Sequence, residues 1–117
     1  MPHFVIDCSK ELLEQHSEVE ILQEVHQVAV ASELFDPGDI KVRIRPFSTY
    51  LVGGSQTTLF MHVFADIMEG RNSEQKAALS KAVVTKLKVL FPGVPFIAMN
   101  VRDFEKATYS NLKTIAI

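Results

Sequence analysis

Ile40-Lys41-Val42-Arg43-Ile44-Arg45-Pro46-Phe47 is the stretch on which the fold turns. Its alternation is strict. Ile40, Val42 and Ile44 share one face, and Lys41, Arg43 and Arg45 share the other, which reads as a half-buried strand. Upstream, Ile21, Leu22, Val25, Val28, Ala29 and Ser32 recur at helical spacing, predicting a helix over Glu18 to Leu34. Ser17 stands as its N-cap, and Glu20 completes a capping box. Phe35-Asp36-Pro37-Gly38-Asp39 separates helix from strand with turn chemistry. Further upstream, His3 to Cys8 is short, apolar and β-branched and reads as a strand, and Ser9 to Gln15 reads as a helical turn. The first half is therefore β-α-β.

The same order follows in the second half. Ser48 to Thr57, with Gly53-Gly54, reads as a loop or hairpin, and Thr58 to Met68 as a long strand. Glu69-Gly70-Arg71-Asn72 is a turn. Asn72 or Ser73 caps a second helix, and Glu74 lies in its first turn, where the helix dipole favours negative charge. Leu79, Ala82, Val83, Lys86, Leu87 and Leu90 read as its core-facing stripe, and Phe91-Pro92-Gly93 ends it. Phe96 to Phe104 is the fourth strand, and Thr114 to Ile117 reads as a short strand in a mostly polar tail. Arg45-Pro46-Phe47 falls on Arg102-Asp103-Phe104 at an offset of about 57 residues, so the halves read as repeats, mainly on element order.

The expected fold class is α+β: two βαβ repeats forming a four-stranded mixed sheet with both helices on one face. All 117 residues fit one domain, with repeat one over about 2–48, repeat two over about 58–104 and a tail over 105–117. Thr58–Met68 is apolar on both faces, so the sheet surface away from the helices calls for a covering subunit, and an oligomer is expected.

Composition narrows the function classes. The chain is 47% hydrophobic and 22% charged with a formal charge of -2, the profile of a soluble globular protein and not of a nucleic-acid binder. No apolar run approaches the roughly 18 residues of a membrane span. Met1-Pro2-His3-Phe4 carries no basic or signal-like segment, and the lone Cys8 has no disulfide partner, so the cytoplasm is the expected compartment.

Three groups of residues could carry chemistry. Removal of Met1 by methionine aminopeptidase, usual before a small residue, would leave Pro2 as a terminal secondary amine held stiffly at the start of a strand. Burial and nearby cations would lower the pKa of such an amine toward neutrality, where a general base works best. Many chains begin Met-Pro to no chemical end, and the strand that follows is what raises the significance here. Lys41, Arg43 and Arg45 put three cations on one strand face, which suits a carboxylated ligand or, equally, a solvated face. Arg71 sits in a turn before a helix N-terminus, a favourable place for an anion, although a plain surface turn would look the same. His3, His16, His26 and His62 share no ligand spacing and read as structural, no metal site is expected, and Cys8 reads as a small buried hydrophobe.

Pro2-His3-Phe4-Val5-Ile6-Asp7-Cys8-Ser9, Ile40-Lys41-Val42-Arg43 and Gly70-Arg71-Asn72-Ser73-Glu74 together resemble the 5-carboxymethyl-2-hydroxymuconate isomerase family of the tautomerase superfamily. The resemblance spans nearly the whole chain, and the opening segment is its most specific part. It implies a homotrimer of two-βαβ subunits whose sheets wrap into a barrel, with active sites near the subunit boundaries. It also implies that Pro2 is the catalytic proline and that Arg71 binds substrate carboxylate. The family's other substrate-binding arginine falls on Lys41, which keeps the charge but loses the bidentate fork; Arg43 or Arg45 would compensate.

The expected reaction is a keto–enol or double-bond tautomerisation of an unsaturated carboxylic acid, needing no metal or organic cofactor. Neutral Pro2 takes a proton and its protonated form returns it to another carbon, while Arg71, Lys41 and Arg43 hold carboxylates and stabilise the dienolate. Two alternatives stay open. One is a phenylpyruvate-like enol as substrate, and the other is a non-catalytic trimeric binding module on the same fold.

Overall fold

The computed structural model describes residues 1–116. The elements run β1 (His3–Ser9), α1 (Glu18–Ala31), β2 (Lys41–Phe47), β3 (Phe60–Met68), α2 (Ser73–Leu90) and β4 (Phe96–Phe104). Short 3-10 turns occupy Lys10–Glu14, Pro37–Asp39 and Lys106–Thr108. The four strands form one mixed sheet in the order β2-β1-β3-β4. β1 pairs parallel with β2 and β3 parallel with β4, and the two halves meet where β1 runs antiparallel to β3. This is the expected α+β arrangement, with each helix making the crossover between parallel neighbours.

The alternation read in the strands is realised as two unlike sheet faces. Phe4, Ile6 and Cys8 of β1 and Met61, Val63, Ala65 and Ile67 of β3 are buried. They pack with Ile21, Val25 and Ala29 of α1 and Leu79, Val83 and Leu87 of α2 in a single core. Fully burying a side chain of the Leu, Ile or Phe type is worth about 1.5–3 kcal/mol, so this layer dominates the stability. Val42 and Ile44 add to it from β2. The opposite face carries Lys41, Arg43 and Arg45 beside His3, Val5 and Asp7, then the alternate residues of β3 and β4. Phe96, 54% exposed, lies on that open face.

Both capping boxes are formed. Ser17 accepts from the Glu20 amide while the Glu20 side chain accepts from Ser17, and Asn72 and Gln75 do the same at α2. Gly53 and Gly54 both have positive φ, and Val52 and Ser55 exchange backbone hydrogen bonds of 2.9 Å across them. The loop after β2 is therefore closed by a tight two-residue hairpin.

Four boundaries differ from the sequence reading, each for a local reason. α1 stops at Ala31 instead of Leu34 because Glu33 takes a left-handed φ of 60°. There the Ser32 hydroxyl donates to the Ala29 carbonyl and accepts from the Leu34 amide. β2 begins at Lys41 because the Ile40 amide is used by the Pro37 carbonyl. β3 begins at Phe60 because Ser55 Oγ accepts from the Thr57 and Thr58 amides and holds them in the turn. The tail does not form a strand over Thr114–Ala116. Asn111 and Thr114 bond each other's amides reciprocally at 2.8 Å and fold the segment into a turn. Ile117 lies outside the described residues.

The radius of gyration is 15.3 Å and the extents are 50 × 25 × 25 Å. A compact chain of this length would have a radius near 13 Å, so the chain is elongated.

Candidate active site at the Pro2 end of the sheet

β1 starts, β2 starts and β3 finishes at one end of the sheet, and the chain leaves β4 there too. That topology gathers Pro2, Lys41, the Gly70-Arg71 turn and the C-terminal tail at one edge. Pro2 is buried. Its carbonyl accepts from the Lys41 amide at 3.0 Å, extending the β1–β2 ladder to the residue before the strand. The alternation of β1 puts Pro2 on the core side with Phe4, so its ring is anchored and not frayed.

Met1 lies in front of Pro2, and its amino group donates to the Asp39 carbonyl at 2.8 Å. The Lys41 ammonium donates to the same carbonyl oxygen, also at 2.8 Å. Burial pushes the Met1 amino group below the ordinary α-amino value of 8.0, and the Lys41 ammonium adds to the push while Asp39 opposes it. The Met1 amine is thus biased toward its neutral form. Removal of Met1 transfers the terminus to Pro2, closer to the core. Met1, Asp39 and Lys41 line a pocket of about 320 Å³, which Tyr109, Asn111, Leu112 and Lys113 of the tail close from the other side.

The cations singled out from sequence part company. Lys41 alone of them lines this pocket. Arg43 lies on the open sheet face with its guanidinium 3.0 Å from His3 Nδ1. Burial first, and then Arg43, the amino terminus and Lys41, push the His3 imidazole below its ordinary 6.5. That leaves Nδ1 as the acceptor for the Arg43 guanidinium. Arg45 is paired with Asp7 at 2.6 Å. An Asp–Arg pair also occurs in the second half, Arg102 on Asp66, with bonds of 2.8 and 3.2 Å. Arg71 is half-buried on the core side. It donates to the Met68 and Leu34 carbonyls, and its guanidinium lies 5.0 Å from the centroid of the Phe35 ring. Phe35 in turn meets Phe4 edge-on, which ties Arg71 into the packing beneath the strand that Pro2 begins.

The remaining polar candidates serve structure. His16 Nε2 donates to the Leu90 carbonyl at 2.9 Å, and His62 pairs with Asn100 at 2.6 Å. Burial pushes the Cys8 thiol up to about 11, with Asp7 and Glu18 adding to the rise, so it stays protonated and inert at neutral pH. Among the described residues no cluster of three or more His, Cys, Asp or Glu side chains could hold a metal ion, and no helix is long and apolar enough to cross a membrane. Sequence reading missed the tail residues Tyr109, Asn111 and Lys113. The spacing of Asn111 and Thr114, that of a capping pair, was the signal that this segment folds into a turn.

A β2-β1-β3-β4 sheet with both crossover helices on one face and a proline opening its first strand is the tautomerase fold. The chain belongs to the 5-carboxymethyl-2-hydroxymuconate isomerase family, whose profile matches residues 2–109. It is an isomerase, in a superfamily whose enzymes work without a cofactor. Solved structures agree on the fold. A 5-carboxymethyl-2-hydroxymuconate isomerase from Deinococcus radiodurans R1 is 24% identical over 94% of this chain and 87% of its own, with a TM-score of 0.80. Pt0534 inactivated by 2-oxo-3-pentynoate is 22% identical over 97% and 94%, with a TM-score of 0.79. A fused 4-OT symmetric trimer is 15% identical over 97% and 94%, also with a TM-score of 0.79. No curated protein matches the chain.

Proposed function

We propose that the protein is a homotrimeric tautomerase that moves a proton within an unsaturated carboxylic acid such as 5-carboxymethyl-2-hydroxymuconate, with the free amine of Pro2 as base and then acid. The observation that carries this reading is the buried Pro2 at an edge where burial and Lys41 disfavour the charged form of the Met1 amine. After Met1 is removed, neutral Pro2 takes a proton from the enol oxygen or an acidic carbon. The resulting ammonium returns it to a different carbon, so the enzyme ends unchanged. Lys41 holds a carboxylate beside the amine. Arg43 and the donors that Arg71 has left after its two carbonyl bonds supply further positive charge for the dienolate.

The trimer is supported by the apolar residues of the open sheet face, Phe96 among them, and by the trimeric assembly named for the fused 4-OT relative. The chemistry fits a cytoplasmic role in the breakdown of aromatic compounds. A second reading, a monocarboxylate enol of the phenylpyruvate type, draws on the engagement of Arg45 by Asp7 and of Arg71 by backbone carbonyls. Fewer free cations suit one carboxylate better than two.

A substrate panel of 2-hydroxymuconate-type and enol-pyruvate compounds, followed spectrophotometrically, tests the proposal alongside intact mass. The expected result is a protein lacking Met1 that turns over the 2-hydroxymuconate-type di- and tricarboxylates fastest. 2-Oxo-3-pentynoate, the inactivator named for Pt0534, should add once, at Pro2 and not at the inert Cys8. Retention of Met1, or no turnover of any panel member, would overturn it.

A further inference from the structure

The tail is the one part of the Pro2 end that neither repeat explains. From Phe104 it crosses the end of the sheet from the β4 edge toward β1 and β2, and it is fastened along the way. The Lys106 amide donates to Glu69 Oε1 at 2.9 Å. The Tyr109 ring lies 5.1 Å from that of Phe104. Asn111 Nδ2 donates to the Tyr109 hydroxyl at 3.4 Å, and the reciprocal Asn111–Thr114 bonds fix the last turn. This strap brings Lys113 to the pocket that Met1 and Lys41 line. Lys113 makes no ion pair with a carboxylate of the described residues, nor does Lys41, whose ammonium is held by a neutral carbonyl.

We propose that Lys113 is a specificity-determining residue that binds a second carboxylate of a di- or tricarboxylate substrate across the pocket from Lys41, with the strap of residues 105–116 as the wall that carries it. The proposal rests on the Pro2 end being the substrate site. Lys41 and Lys113 both line this cavity, so a ligand with a carboxylate at each end could pair with one lysine at each end. Lysine suits the task because a compact charge on a flexible stem adjusts to chains of different length. Met1 is part of the wall of this cavity, so its removal would widen the pocket in the same step that frees the amine.

The test is calorimetric titration of the Met1-free protein with adipate and with hexanoate, equal-length chains that differ by one carboxylate. The parental protein should prefer adipate by about fivefold or more. Lys113→Ala should lose that preference with hexanoate unchanged, Lys113→Arg should restore it, and Lys81→Ala, a change of the same charge on α2, should leave it intact. Equal adipate affinities in the parental and Lys113→Ala proteins would overturn the proposal. So would an equal loss of both ligands, or no adipate binding at all. Pro2→Ala separates this from the reading beneath it. If that variant keeps the adipate preference and keeps turning over substrate, the proline mechanism fails while the role of Lys113 stands.

Discussion

The two ends of the sheet are built from repeated parts and have come to opposite characters. Because β1 and β3 are antiparallel, equivalent positions of the two repeats lie at opposite ends. Pro2 opens β1 at an end furnished with Lys41, Arg71 and Lys113. The position equivalent to Pro2 in the second repeat is Leu59. Its end carries Tyr50 packed edge-on to Phe60 at 4.9 Å, with Leu51, Val52 and Phe96 around a second cavity. Each half also carries an Asp–Arg pair between its parallel strands, Asp7–Arg45 and Asp66–Arg102, with the arginines at equivalent positions and the aspartates shifted. The difference teaches that the βαβ repeat supplies a common edge and that the residues placed on it decide whether the edge is cationic or apolar.

The sharpest way to break this comparison is at its defining position. Pro2→Ala should lower kcat/KM by about 10²–10⁴-fold, the usual worth of a positioned base. Leu59→Met, a volume-conserving change at the mirrored site, should leave kcat as it is. Steady-state kinetics on the two variants gives the answer, and comparable losses would mean that the Pro2 end is not special.

A smaller effect is expected at the cations of the Pro2 end. Lys41→Ala should raise KM about tenfold with little change in kcat, and Lys41→Arg should retain most of the affinity, because the charge is what Lys41 contributes. Arg71→Ala should instead cost about 1–3 kcal/mol in urea unfolding as well as affinity, since two carbonyls and the Phe35 ring lose their partner. A pure KM effect there, with unchanged stability, would contradict the packing role. The smallest change belongs to the two Asp–Arg pairs. Arg45→Gln and Arg102→Gln should each leave the thermal unfolding curve nearly where it is, because these arginines are 58% and 57% exposed and water screens their pairs.

How much of this was legible before the structure varies with how local each feature is. The strict alternation of Ile40–Phe47 and the Ser17–Glu20 spacing determine their surroundings within a few residues, and both read correctly. The shortened ends of α1 and β3 depended on the hydroxyls of Ser32 and Ser55, whose choice of backbone partner leaves no periodic trace. The cations were identified as a face, yet their separation was not visible. Asp7 claims Arg45 only because the β1–β2 register sets the two opposite each other. Arg71 turns to the Leu34 carbonyl, and a backbone acceptor has no signature in sequence. The strap was the largest omission. A tail of polar residues gains meaning only when β4 ends beside the start of β1 and gives it something to cross.

Nitrogen NMR of protein carrying ¹⁵N-proline, titrated from acid to base, most directly tests whether Pro2 is a neutral base. The account predicts a terminal secondary-amine signal whose midpoint lies below the ordinary α-amino value of 8.0, with kcat/KM rising through the same pH range as the amine loses its proton. A Pro2 signal that shows no titration, as an amide behind a retained Met1 would, or a midpoint at or above 8.0, would contradict it.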